Sequence, residues 1–273
     1  MAAMAGAYIR ISAVGFIPGL WSVVLRNFVT ALSRPRVVLV LAVTSVIYNA
    51  GVGLALSQGR LGLPALGVNG IAVASSSATV LMFLTLLAYC YIDRAFRRSH
   101  LFGRFWRPDW PRFGEMLRLG LPIGTTMLME VGLFSGAGLL MGILGRDQLA
   151  AHQIALQYAS TAFMVPLGLA QATSVRVGLA AGGGDAVGVA RAGWTGIAMG
   201  TAFVVLSGLL FWLAPRPLIA LFIDADDSAN AAVVTFAVSY LAVAALFQVI
   251  DALQALSAGA LRGLKDTRAP LLF

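Results

Sequence analysis

Seven apolar stretches follow one another along this chain, at residues 8–28, 37–57, 68–92, 119–144, 149–175, 192–214 and 233–261. A helix needs about 20 mainly apolar residues to cross a bilayer. Inside hydrocarbon each backbone N–H and C=O must be bonded within its own segment, so stretches of this kind can only be helices. The expected fold is an all-α integral membrane protein, a polytopic bundle of about seven transmembrane helices. Composition agrees, because only 11% of the residues are charged, against roughly 25% in soluble domains. The first stretch is the least regular: Arg10 and Arg26 bracket a short apolar core that contains Pro18. Both arginines can snorkel to an interface.

The basic residues orient the bundle. Fifteen of the nineteen Lys and Arg lie on one side: Arg26, Arg34, Arg36, seven arginines between 94 and 118, Arg176, Arg191, Arg262, Lys265 and Arg268. The other side holds only Arg10, Arg60, Arg146 and Arg216. Cytoplasmic loops carry the excess of Lys and Arg, which predicts a C-terminus inside and an N-terminus outside. The net charge of +8 thus reads as topogenic, and no nucleic-acid partner is expected. The N-terminus has no basic region ahead of an apolar core, so a cleavable signal peptide is not expected. Both ends read as cut, since the chain enters an apolar segment almost at once and stops at the start of another.

The 93–118 connection is the longest basic loop, with Trp106, Pro108, Trp110 and Pro111. It reads as a cytoplasmic linker, partly amphipathic at the membrane interface, between a unit at 1–92 and a unit at 119–273. A weak parallel repeat supports two halves. Tyr8, Leu25-Arg26 and Ser33-Arg34-Pro35 in one correspond to Tyr240, Leu261-Arg262 and Thr267-Arg268-Ala269-Pro270 in the other. Repeats of this kind are common in secondary transporters.

Enzyme chemistry finds no purchase. One cysteine, Cys90, excludes an intramolecular disulfide, and His100 and His152 with that cysteine form no metal cluster. There is no phosphate-binding loop and no G-x-S-x-G motif.

Glu130 and Asp251 stand out. Each lies mid-way along an apolar stretch with no cation near it in sequence. A charge at the centre of a membrane helix costs about 2.5–3.5 kcal/mol on insertion scales, so these carboxylates are the candidate site. They could carry a proton, because burial disfavours the ionised form, or coordinate Na⁺, a hard cation that suits oxygen ligands. Gln248 and Gln254 lie three residues to either side of Asp251 and Phe247 four before, read as one face. Gln153, Gln157 and Ser160 make a comparable polar face on the fifth stretch. Gly132 and Gly136, in a small-xxx-small arrangement, are expected to pack a neighbouring helix and leave Glu130 facing inward.

Several runs resemble the multidrug and toxic compound extrusion (MATE) transporters, the NorM-like bacterial branch most closely. They are Leu121-Pro-Ile-Gly through Glu130-Val-Gly-Leu-Phe, Ala150-Ala-His-Gln-Ile-Ala-Leu-Gln, Met164-Val-Pro-Leu-Gly-Leu-Ala-Gln-Ala, Arg176-Val-Gly and Leu261-Arg-Gly-Leu-Lys-Asp-Thr. Arg34-Pro35-Arg36, Asn49 and Gly62-Leu-Pro-Ala-Leu-Gly-Val-Asn-Gly match the family's first lobe. The resemblance implies a two-lobe transporter of six plus six helices. This chain would supply the last three helices of the first lobe and the first four of the second. It further implies a multi-pass protein of the bacterial inner membrane, monomeric when complete and surrounded by lipid. Such a protein exports amphipathic, often cationic small molecules by antiport with H⁺ or Na⁺ and carries no cofactor. By resemblance Glu130 and Asp251 are the second-lobe cation site, with Asn49 in the first-lobe cavity. Phe247 stands where some members carry tyrosine, and Gly53 replaces a second asparagine, so H⁺ coupling stays open beside Na⁺. Two alternatives remain. A lipid-linked oligosaccharide flippase of the same superfamily would be expected to carry many cations in its spans. The other is a truncated membrane protein that does not transport.

Overall fold

The computed structural model describes residues 2–32, 34–59, 66–93, 109–225 and 227–272. The described residues form helices without strands: α1 (Ala2–Ala31), α2 (Pro35–Gln58), α3 (Val68–Ile92), α4 (Trp110–Leu144), α5 (Arg146–Gly182), α6 (Ala186–Leu213), the short α7 (Pro215–Ile219), α8 (Ala231–Gly263) and the short α9 (Ala269–Leu272). Seven are long and apolar enough to cross a membrane. The protein is an all-α polytopic membrane protein. Each apolar stretch of the sequence lies within one long helix, apart from the last residue of the 192–214 stretch.

Two helix starts, those of α4 and α6, follow capping chemistry rather than hydropathy. The Asp109 carboxylate accepts the Arg112 N–H (3.3 Å) and starts α4, with Pro111 in its first turn. Proline suits that position because its missing N–H would have no partner there. α4 therefore begins at Trp110, inside the stretch read as linker. Asp185 likewise caps α6 by accepting the Gly188 N–H at 2.8 Å. The 37 residues of α5 span about 55 Å at 1.5 Å per residue, well beyond the roughly 30 Å hydrocarbon core, so α5 must tilt or project past it. Trp106 and the rest of residues 94–108 lie outside the described residues.

The chain forms two compact units, Met1–Pro108 and Asp109–Phe273. In the first, α3 packs against both α1 and α2. Small residues permit this: a Cβ on Gly15 would lie 3.1 Å from the Ser76 backbone, and the Ser76 hydroxyl donates to Ile11 O at 3.0 Å. Leu25, Val29, Leu86 and Cys90 are buried together at one end.

In the second unit α5, α6 and α8 make the core. Ala151, Ile154, Ala155, Phe211, Ala237, Leu241 and Ala245 form one buried cluster, and Ala170, Val204, Ala252 and Leu256 another. The α5–α8 crossing is the tightest part. A Cβ on Gly259 would lie 2.6 Å from Ala170 O, and one on Gly263 would lie 2.6 Å from Ser174 O. Backbones that close require glycine, as at small-xxx-small crossings in membranes. α4 is different, for it contributes no buried residue. Nothing lies within 4 Å of where a Cβ on Gly132 or Gly136 would be. The small-residue seam expected there is found instead at Gly259 and Gly263, because what lies across the helix, and not the spacing alone, makes a seam.

Candidate functional site

Helix α4 meets the antiparallel α8 through long side chains at several levels. The Phe134 and Phe247 rings form an edge-to-face pair with centroids 6.0 Å apart. Seven residues further along α4 and seven residues back along α8, the Tyr240 hydroxyl donates to Met141 Sδ at 3.8 Å. Near the start of α4, Lys265 Nζ donates to Glu115 Oε1 at 2.9 Å. A step forward on one helix thus matches a step back on the other.

Glu130 is four residues before Phe134 and Asp251 four after Phe247, so the same register sets the two carboxylates opposite each other. Both are half-buried, and Asp251 lies within electrostatic reach of the Glu130 charge. This is the arrangement that the sequence could only suggest. Two carboxylates on facing helices repel when both are ionised, and a shared proton or cation removes that repulsion.

The residues expected to support this pair divide. Phe247, 40% exposed, sits one turn from Asp251 and meets Phe134 edge to face. Gln254 is exposed on the turn after Asp251. Gln248 does not join them. It is 2% exposed and lies between α8 and α6, where Nε2 donates to Val204 O (3.3 Å) and Oε1 accepts from the Ser207 hydroxyl (3.4 Å). A residue advances about 100° around a helix, so positions three before and three after Asp251 diverge by about 120° rather than forming one stripe. The reading of Gln248 as a cavity residue is corrected: it ties two helices together.

On α5, Gln153 and Gln157 are exposed. Gln153 Nε2 lies 4.0 Å from where a Cβ on Gly138 would be, and Leu149 Cδ2 3.8 Å from the same point on Gly142. Continuing that antiparallel step places Gln157 at the level of Phe134 and Thr161 at the level of Glu130. Asn49 belongs to the first unit, where Nδ2 donates to the Ser75 hydroxyl at 3.3 Å, linking α2 to α3. Sequence reasoning did not pair Tyr240 with Met141, about three helical turns from the carboxylates. Their only signal was the register, which becomes visible once α4 and α8 are known to be partners. Among the described residues no group of three or more His, Cys, Asp or Glu could hold a metal ion.

Comparisons with known proteins identify the family. The sequence model of the MatE family matches residues 122–273. A protein of Mesorhizobium japonicum named "Probable multidrug resistance protein NorM" is 49% identical over all 273 residues, which cover 58% of that relative. The protein of the same name in Brucella suis is 44% identical over 94% of this chain and 54% of its own length. The "Multidrug resistance protein NorM" of Burkholderia vietnamiensis is 42% identical over 97% of this chain and 56% of its own length. The chain spans a little over half the length of these curated relatives. With the family match covering more than half of its residues and both carboxylates, the chain belongs to the MatE family.

Proposed function

We propose that this chain provides one part of a cation-coupled multidrug efflux antiporter of the bacterial inner membrane, with Glu130 and Asp251 as the coupling site. The observation that carries the reading is the register of α4 against α8, which opposes two half-buried carboxylates between apolar helices. The names of the relatives support export of drugs. The excess of Lys and Arg in alternate connections supports a C-terminus in the cytoplasm.

In this mechanism an external H⁺ or Na⁺ enters between Glu130 and Asp251 and relieves their repulsion. α4 and α8 then close on each other. An amphipathic, often cationic substrate binds the alternative state, in which the ionised carboxylates favour positive charge. Coupling requires each ligand to bind the two states with different affinity. Reversing a population from 1:99 to 99:1 takes about a 10⁴-fold difference. Phe247 offers no oxygen ligand, which leaves the two carboxylates and the nearby amides to hold Na⁺. Proton coupling needs only the carboxylates.

The test uses the transporter as its gene encodes it, in inverted vesicles loaded by a cation gradient. Glu130→Gln and Asp251→Asn should each abolish gradient-driven movement of a fluorescent cationic dye. Wild-type rates in both variants would sink the assignment.

A further inference from the structure

Helix α8 ends in a turn with an uncommon residue in it. The Asp266 N–H donates to Leu261 O and the Lys265 N–H to Arg262 O, both at 3.0 Å. This pattern closes a helix with one left-handed residue, a position that glycine usually fills. Here it is Lys265, at φ +61°, the one non-glycine at positive φ among the described residues. A Cβ is disfavoured in that conformation, so the lysine is kept there against the backbone's preference. Its ammonium reaches Glu115 at 2.9 Å, and Arg112 one turn earlier adds a second positive charge near the same carboxylate. An observed backbone outlier of this kind is grounds for a functional hypothesis.

Two more observations bear on what the contact does. Between Glu115 and Glu130, α4 carries Gly120, Pro122 and Gly124, and nothing outside the adjoining helix backbone lies within 4 Å of a Cβ placed on either glycine. Proline removes an intrahelical hydrogen bond at that point. In the first unit, the connection after α1 also sets a cation on a helix-end carboxylate: Arg34 Nη1 lies 3.8 Å from Asp93 Oδ2, which also accepts the Tyr89 hydroxyl at 2.9 Å. The sequence repeat relates that connection to the one after α8.

We propose that Lys265 and Glu115 form a salt-sensitive latch that pins the start of α4 to the turn after α8. The Gly120–Gly124 segment is the point at which α4 flexes when the latch opens. Opening lets α4 swing and alters the spacing of Glu130 and Asp251, a consequence that rests on the coupling-site reading, whereas the latch itself does not. Both side chains are largely exposed, at 73% and 49%. Exposed pairs are weak and screened by salt, so the latch biases the closed form by only about two- to fivefold. A contact that weak can be released during a transport cycle.

The test places nitroxide labels on Leu117→Cys in α4 and Val187→Cys in α6, with Cys90→Ala, in the full protein reconstituted in lipid nanodiscs. Pulsed electron resonance reads the distance distribution. Glu115→Gln and Lys265→Gly should each raise the share of the longer distance by about two- to fivefold. Added salt near 1 M should do the same to the parent protein, since the Debye length falls to about 3 Å, and should change neither variant. Lys265→Arg keeps the charge and should keep the parent distribution. Lys265→Gly also relaxes the turn, so it should not unfold more readily. Distributions for Glu115→Gln and Lys265→Gly that superimpose on the parent would overturn the latch, whatever dye efflux shows for Glu130 and Asp251. Equal shifts in Lys265→Gly and Lys265→Arg would overturn it as well.

Discussion

Replacing Gly259 with alanine should force α5 and α8 apart at their closest approach, whereas the same change at Gly132 should not. A Cβ on Gly259 would stand 2.6 Å from Ala170 O and 2.9 Å from Ala170 Cβ, inside the 3.0 Å that real Cβ atoms essentially never breach. The first obstacle is backbone, so a rotamer change cannot relieve it. The helices must separate by roughly half an ångström, and a gap of that order forfeits about a quarter of the attraction of each atom pair across it. Overpacking of this kind costs about 1–3 kcal/mol. Alanine also gains up to about 1 kcal/mol over glycine in helix propensity, but that gain applies at Gly132 too and cancels in the comparison. The packing term alone remains: Gly259→Ala should be less stable than Gly132→Ala by about 1–3 kcal/mol, with Gly132→Ala neutral or slightly stabilising. The assay is reversible unfolding of purified protein by sodium dodecyl sulfate in mixed micelles, followed by far-ultraviolet circular dichroism. Equal midpoints for the two variants would refute the close crossing and the role assigned to Gly259 within it.

Gln248 and Gln254 should separate cleanly in the same assay. Gln248→Leu loses two long hydrogen bonds between α8 and α6 and should lower stability by about 0.5–1.5 kcal/mol while cation-driven dye efflux persists. Gln254→Leu, at an exposed position, should leave stability unchanged; a loss of efflux in Gln248→Leu without loss of stability would return Gln248 to the cavity. In the first unit, Asn49→Ala removes the link to Ser75 and should cost about 0.6 kcal/mol, the mean for such bonds between membrane helices, read again from the unfolding midpoint.

The spans were legible because hydropathy over twenty residues has one physical solution in a bilayer. Helix starts were legible in principle: Asp109 before Pro111, and Asp185 before α6, are capping residues in plain view. Partner choice was not. Gly132 and Gly136 have the same four-residue spacing as Gly259 and Gly263, yet only the second pair meets another backbone. Likewise Gln248 and Gln254 are equidistant from Asp251 in sequence, and the side on which α6 lies decides that one is buried. Glu130 and Asp251 were found because an intramembrane carboxylate is costly wherever it sits. Their opposition needed the register of α4 on α8, which no spacing within a single helix encodes.

One residue, Gly145 at φ +147°, separates α4 from α5, and Lys265 holds α4 at Glu115. Glu130 lies fifteen residues from each of these anchors, about 22 Å along the helix either way. While the latch is closed α4 is a rod held at both ends, which deflects most at its midpoint and does not slide along its axis. On the proposed coupling role, a change in the Glu130–Asp251 spacing made with both anchors in place is therefore sideways, at constant depth. Moving one charge through the full membrane potential is worth about 2.3 kcal/mol per 100 mV, and a sideways step traverses almost none of it. In the proposed cycle, then, the voltage acts on the ion as it travels to and from the site, and hardly at all on the motion of the carboxylate proposed to receive it.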